Sequence, residues 1–212
     1  MVFAPNRSSY DRISVMNTQR HLMLWGIQQV GKTTLINQLL SGHPGWTVKG
    51  FRTYTDFGAI SGAIGPVYIA PVHPCGWYRR DEAVIGIRKQ GQRSSYPAVF
   101  DRVGVRILQE TQGADLLVMD EIGTMENDAL AFQRAVLQSI SASTPIIGVM
   151  KGQSSPFMDA VRNHPSVKTL EITLANRGKM LSLIDEFVSG SVIRLKAPSS
   201  SAESAPRPHP HR

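Results

Sequence analysis

Thiols are nearly absent from this chain. Cys75 is the single cysteine among 212 residues, which excludes an internal disulfide and any thiolate cluster of the kind that holds zinc or an iron–sulfur centre. A reducing, cytoplasmic setting fits that usage. Charge is also scarce, at 18% of residues. The stretch Phe57 to Tyr78 carries no formal charge at all, yet Gly58, Gly62, Gly65, Pro66, Pro71, Pro74 and Gly76 interrupt it. Such a backbone cannot satisfy its own polar groups in lipid, so short strands and turns are expected there and no membrane span. Pro5 and Asn6 stand where a secretory apolar region would begin, and no export signal is read. The net charge is +7, but Arg7, Arg12, Arg20, Arg194, Lys196, Arg207 and Arg212 place most of the excess at the two ends. The body therefore gives no strong nucleic-acid signal. Neither N-K-x-D nor T-K-x-D occurs, which counts against a guanine-reading switch.

Hydrophobic residues, in contrast, make up 42%, enough for the core of one ordinary domain. Residues 1–20 are polar and aperiodic and are expected to be a flexible lead. Residues 196–212 form a Ser/Pro-rich tail too poor in apolar side chains to offset the entropy of ordering. Between them, residues 21–195 read as a single domain in which apolar strand-like runs alternate with helical patterns. Strands are predicted at His21–Trp25, Leu116–Met119, Ile146–Val149 and Thr169–Ile172. Helices are predicted over Lys32–Leu40, Val99–Ile107, Leu130–Ile140, Phe157–Val161 and Leu181–Val188. That alternation implies an α/β fold in three layers, a mostly parallel sheet with helices on both faces. Residues 46–90, rich in Gly and Pro, are expected to be a β-rich elaboration, with Val67–Val72 and Ala83–Ile87 as strands.

Gly26-Ile27-Gln28-Gln29-Val30-Gly31-Lys32-Thr33 fits G-x-x-x-x-G-K-[ST] and lies directly after a predicted strand and at the start of a predicted helix. Glycines let the backbone curl until its N–H groups face inward, and the helix N-terminus adds partial positive charge, so the loop is built to cradle phosphates. Lys32 is expected to neutralise them, with Thr34 just beyond, and Thr33 to offer its hydroxyl to Mg²⁺, an ion that takes few protein ligands. Further along, Leu116-Leu117-Val118-Met119-Asp120-Glu121 is an apolar strand ending in two carboxylates. Adjacent strand residues point in different directions. Asp120 can therefore order the metal shell while Glu121 orients and deprotonates a water beyond the terminal phosphate.

These segments together resemble a known family, the small P-loop nucleoside-triphosphatases of archaea, bacteria and animals. The resemblance rests on the phosphate loop with Thr33-Thr34, Gly50-Phe51-Arg52-Thr53, Val99 to Val105, and above all Asp120-Glu121-Ile122-Gly123-Thr124-Met125-Glu126. Gly148-Val149, Ser155-Pro156-Phe157 and Asn176-Arg177 come after them in the same order. It implies a P-loop fold and a Mg²⁺-dependent phosphohydrolase of loose base preference, with ATP or GTP as substrate, Lys32 and Thr33 on phosphate and metal, Asp120 on the metal and Glu121 as base. Asp56 to Tyr78 departs from the family's pattern.

Other residues are open between roles. Arg52 and Thr53 come after a strand and can face either the terminal phosphate or solvent. Glu126 can anchor Arg52 or Lys151, or simply hydrate. Arg177 is expected to stack on the nucleobase, a cation–π contact, with a helix cap by Asn176 as the alternative. Trp25, Trp46 and Trp77 are read as packing. Two other functions remain for the whole chain: a nucleotide or small-molecule kinase on the same loop, and a nucleotide-regulated adaptor that turns over only when a partner supplies an arginine.

Overall fold

The computed structural model describes residues 19–56, 64–89 and 92–197. The expected flexible lead and Ser/Pro-rich tail lie almost wholly outside the described residues. Eight strands form one sheet, in chain order β1 His21–Trp25, β2 Val48–Thr55, β3 Ile64–Pro71, β4 Val84–Lys89, β5 Gln92–Ser95, β6 Leu116–Ile122, β7 Ile146–Met150 and β8 Val167–Glu171. Across the sheet the order is β5-β4-β3-β2-β6-β7-β1-β8. The run β2-β6-β7-β1-β8 is parallel, whereas β3, β4 and β5 join its β2 edge antiparallel. Helices are α1 Lys32–Gly42, α2 Pro97–Val99, α3 Val105–Gln109, α4 Leu130–Ser141, α5 Pro156–Arg162 and α6 Arg177–Lys196, with a π-helical turn Phe100–Gly104 between α2 and α3.

Alternation along the parallel strands divides the core in two. Leu22, Leu24, Leu116, Val118, Ile147 and Val149 meet Leu35, Ile36 and Leu39 of α1 and Ile184, Val188 and Val192 of α6 on one face. Met23, Leu117, Met119, Ile146 and Met150 meet Phe100, Val103, Ile107, Phe132, Val136, Ile140 and Phe157 on the other. A strand buried on both faces reads as a continuous apolar run, which is why these strands are plain in the sequence. The helices show the complementary pattern: Phe132, Val136 and Ile140, or Ile184, Val188 and Val192, recur every four residues and form one stripe. Ser155 caps α5 by accepting the Met158 N–H at 3.3 Å, with Pro156 in the first turn.

The expected elaboration of residues 46–90 begins later than the composition implies. β2 pairs in parallel with β6 from Val48↔Leu116 to Arg52↔Asp120 and so belongs to the central sheet. Gly50 makes that possible: its φ is +107°, and a Cβ there would stand 2.1 Å from the Val118 carbonyl oxygen. The antiparallel part is β3–β5, whose inner face buries Val67, Ile69 and Ile85. Beneath β4, Gly86 lies against the Met125 methyl and the Ser95 hydroxyl donates to the Met125 carbonyl. No helix among the described residues is long and apolar enough to cross a membrane.

Candidate functional site

The loop between β1 and α1 is shaped by three residues of positive φ: Gly26 at 143°, Gln29 at 63° and Gly31 at 105°. Glycine is required at the first, because β8 continues into Ile172 so closely that a Cβ on Gly26 would sit 2.2 Å from the Ile172 carbonyl oxygen. Alternating backbone sign turns successive N–H groups toward one hollow. α1 starts immediately after Gly31 with neither a capping side chain nor an acid in its first turn, so its first N–H groups and dipole face that hollow uncompensated. Lys32 folds back into it, its ammonium donating to the carbonyls of Gly26 at 3.0 Å and Ile27 at 2.9 Å. Burial lowers the Lys32 pKa, opposed by the neighbouring carboxylates of Glu121 and Asp120.

Those carboxylates arrive from β6, separated from β1 by β7. Asp120 is buried, and its Oδ1 accepts the Thr33 hydroxyl at 3.2 Å. Burial raises its pKa, with the Thr33 hydrogen bond pulling the other way. The next residue points elsewhere. Register with β7 shifts between Asp120 and Ile122, leaving Glu121 as the extra residue of a bulge, and the Asp120–Glu121 peptide is cis. Bulges re-aim side chains in this way. Glu121 emerges at the carboxyl end of the sheet, where its Oε1 lies 2.9 Å from the Lys151 ammonium, while its own N–H donates to Thr53 Oγ1 at 3.2 Å.

The surrounding segments support these two acids. In Gly50-Phe51-Arg52-Thr53, Gly50 admits β6, Phe51 is fully buried, Arg52 stands in register with Asp120, and Thr53 holds the Glu121 backbone. The buried Arg52 Nε has no hydrogen-bond partner among the described residues. Gly123 leaves room for Lys151, whose Cδ would be 2.8 Å from a Cβ at that position. Glu126 anchors neither Arg52 nor Lys151 by an ion pair. It is buried, accepts the Gly123 N–H at 3.0 Å, and is pushed up to about 7 by that burial.

A cavity of ≈ 370 Å³ opens between the loop and the ends of β6, β7 and β8, bordered by Trp25, Gly26, Gln28, Lys32, Glu121 and Lys151 among others. Gly26, Gln28, Lys32 and Glu121 thus meet at one hollow, and Asp120 and Thr33 adjoin it through their shared hydrogen bond. Val30 is in the core beside α1, so only its backbone can serve the loop; Gln29, Thr33 and Thr34 are exposed. Arg177 is exposed at the start of α6 and does not border the cavity. Asn176 occupies the N-cap position of α6, but its side chain makes no capping hydrogen bond: its Oδ1 accepts the Thr173 N–H at 2.8 Å and its Nδ2 donates to the Glu171 carbonyl at 2.9 Å, fixing the turn between β8 and α6. Trp25 borders the cavity, while Trp46 stacks on His43 at 3.8 Å and Arg106 lies over Trp77 at 4.1 Å.

The pairing of Lys151 with Glu121 is not among the contacts expected from the sequence. Its signal is nonetheless there: Lys151 directly succeeds the apolar run Ile146–Met150, as Asp120 succeeds Leu116–Met119, and charged residues at the carboxyl ends of parallel strands face the crevice where α/β sheets bind ligands.

Comparison with known proteins agrees with this arrangement. The human protein named cancer-related nucleoside-triphosphatase is 30% identical over 193 residues, covering 81% of this chain and 98% of its own length. The solution structure of a human cancer-related nucleoside triphosphatase superposes with a TM-score of 0.59 at 26% identity, over 81% of this chain and 98% of that one. The crystal structure of THEP1 from Aquifex aeolicus matches with a TM-score of 0.61 at 19% identity, over 79% and 98%, and shares the fold. With these neighbours, the five parallel strands and the loop ahead of α1 are a P-loop fold. A model of the family described as NTPase matches residues 21–184, and the chain belongs to that family.

Proposed function

We propose that residues 21–195 form a Mg²⁺-dependent nucleoside-triphosphate phosphohydrolase of broad base preference, releasing nucleoside diphosphate and inorganic phosphate. The observation that carries this reading is the 3.2 Å hydrogen bond from Thr33 to Asp120, with Lys32 and Glu121 bordering the same cavity. It joins a phosphate cradle to an acidic strand end that is distant in sequence.

The residues fit the metal. Thr33 Oγ1 and Asp120 Oδ1 are hard oxygen donors side by side, and Asp120 is a buried carboxylate that gains from a neighbouring cation. Among the described residues no group of three or more His, Cys, Asp or Glu could hold an ion. Two oxygens suit a magnesium ion that retains waters and phosphate oxygens. When bound, Mg²⁺ would neutralise charge on the β- and γ-phosphates.

The chain's own groups do the rest. N–H groups of Gly26 to Thr34 receive phosphate oxygens, with the exposed Gln29 and Thr34 and the buried Val30 contributing through their backbone. Lys32 exchanges its bonds to the Gly26 and Ile27 carbonyls for phosphate oxygens, a stronger charge-assisted contact. Glu121 accepts a proton from water as that water's oxygen bonds to the γ-phosphorus and the bond to the β–γ bridging oxygen breaks. Thr53, through the Glu121 N–H, and Lys151, through its carboxylate, hold the base in place. Arg177, exposed at the head of α6, stacks on the base without reading its edge, which fits a loose preference.

Phosphate release from ATP, GTP, CTP and UTP with Mg²⁺ tests the reading. Comparable rates on several of the four are expected, and Glu121→Gln should lower turnover by on the order of 10²–10⁴ while leaving triphosphate bound. A Glu121→Gln chain as fast as wild type would remove Glu121 as the base. Phosphate appearing only on an added nucleoside or small-molecule acceptor would replace the hydrolase by a kinase.

A further inference from the structure

The hairpin β3–β4 reaches beyond the carboxyl ends of the parallel strands. β2 and β3 are in register up to Thr55↔Val67, but β3 and β4 continue through Gly65↔Arg88. Counting from the level of Arg52↔Asp120, Arg88 stands five residues further out, roughly 17 Å along the strand direction. Gly86 and Arg88 share one face of β4. Gly86 lies against Met125, in the segment that leaves β6, so the same face carries Arg88 out over the edge where Glu121 emerges. Its guanidinium spans the remaining gap to the phosphate loop. With the Gln28 amide turned so that its oxygen faces Arg88, it accepts from both terminal nitrogens, at 2.9 and 3.0 Å.

The partner's place in the loop matters. Gln28 is the third residue of the G-x-x-x-x-G-K-[ST] segment, is exposed, and borders the cavity shared with Lys32, Glu121 and Lys151. A guanidinium held there by a neutral amide oxygen is next to the place where negative charge will be greatest. The bond to Gln28 sets an ion against a dipole, whereas a phosphate oxygen carries negative charge of its own and offers the guanidinium fork a bidentate ion pair. Exchanging the Gln28 oxygen for a γ-phosphate oxygen is therefore favourable once a triphosphate occupies the loop.

Resting on the hydrolase reading above, we propose that Arg88 is a catalytic residue supplied in cis by the antiparallel extension: it moves from Gln28 onto the γ-phosphoryl group and stabilises the charge that develops as the bond to the bridging oxygen breaks. Gln28 is its positioning residue. The extension thereby provides the arginine that other phosphate-loop hydrolases receive from a partner protein.

The test compares wild type, Arg88→Ala and Arg88→Lys in steady-state phosphate release. It also measures affinity for nucleoside diphosphate, for a non-hydrolysable triphosphate analogue, and for diphosphate with aluminium fluoride, which mimics the transferring phosphoryl group. Arg88→Ala should lower kcat roughly 10³-fold or more, with KM and diphosphate affinity within a few-fold. It should also lose the extra affinity conferred by aluminium fluoride, and added guanidinium ion should restore part of the rate. Arg88→Lys should fall between, since lysine keeps the charge and not the fork. A kcat for Arg88→Ala within threefold of wild type would overturn the proposal. So would an equal loss of affinity for all three ligands, which would mark Arg88 as a tether of the loop. If wild type binds triphosphate but releases no phosphate, the hydrolase reading fails separately. The Arg88 contact then stands only if Arg88→Ala weakens triphosphate binding more than diphosphate binding. A wild-type chain that binds neither nucleotide overturns both.

Discussion

The five parallel strands and the antiparallel extension are built from the same sheet but spend their side chains differently. In β1, β6 and β7 both faces are core, and polar chemistry is gathered at or just past their carboxyl ends: the loop from Gly26, Asp120 with Glu121, and Lys151. In the extension one face is core and the other carries Tyr68, which stacks on Tyr54 of β2 at 5.4 Å with Arg80 over it at 4.5 Å. The three central strands therefore carry their charged residues at the carboxyl edge, which concentrates the chemistry there. The extension can bear charge along its length, and Arg88 carries it to that edge. In the readings proposed above, the phosphate chemistry belongs to the first region and its adjustment to this chain to the second.

The sharpest way to break that contrast is within the parallel half. Lys32→Ala should abolish measurable triphosphate binding and phosphate release, because the ammonium fixed in the loop by two carbonyls has no substitute. Calorimetric titration with ATP and Mg²⁺ checks it. Next in size, Phe132→Ala should cost about 3–5 kcal/mol of stability. Its ring contacts Phe51 and Phe100, each at 5.2 Å between centroids, and thus links β2, the π-helical turn and α4. Urea unfolding measures the loss, and a drop below about 1 kcal/mol would show that β2 and α4 do not depend on this joint.

Two buried groups should give opposite pH slopes. Glu126 has its folded pKa raised to about 7 from 4.5 by burial, so its contribution to stability is present below pH 4.5 and is lost as pH rises toward 7. Its full effect is on the order of 3 kcal/mol. Glu126→Gln, which keeps an oxygen for the Gly123 N–H, should become progressively more stable than wild type across that window, as read from denaturant midpoints. His21 runs the other way. Burial lowers its pKa to about 4 from 6.5 while its Nε2 bonds the Ile140 carbonyl at 2.8 Å, so stability present above pH 6.5 is lost as pH falls toward 4. In wild type the two slopes oppose each other, and Glu126→Gln should expose the histidine's. The smallest effect is expected at Lys151→Met. This change should lower kcat several-fold by loosening Glu121 while leaving triphosphate affinity and the thermal midpoint close to wild type, since the ion pair is partly exposed.

Much of the parallel half is legible from the chain. β1 is predicted at its observed limits, and the other parallel strands that are predicted, with most helices, shift by no more than three residues, because burial on both faces leaves uninterrupted apolar runs and long helices leave stripes every four residues; α6 is the exception, running over Arg177–Lys196 where Leu181–Val188 is expected. The extension is harder. β2, beginning Val48-Lys49-Gly50, mixes a lysine and a glycine into a central strand and so reads as part of an irregular region, although Gly50 is what lets it pair with β6. β5, Gln92–Ser95, carries no apolar pattern and gives no signal. Within the site, spacing singles out Lys32, Thr33, Asp120 and Glu121. It does not assign Thr53, Lys151 and Arg88 their contacts, since each meets its partner only across strands.

Sequence alone determined that a G-x-x-x-x-G-K-T loop precedes a helix and that two acids stand at the carboxyl end of a buried strand, because backbone conformation at glycines and runs of apolar residues are local properties. Tertiary structure alone decided that Thr33 meets Asp120, that Lys151 holds Glu121, and that Arg88 reaches Gln28. Those contacts join residues tens of positions apart, and their distances are set by sheet order, by the bulge at Glu121 and by how far the β3–β4 hairpin overhangs the edge.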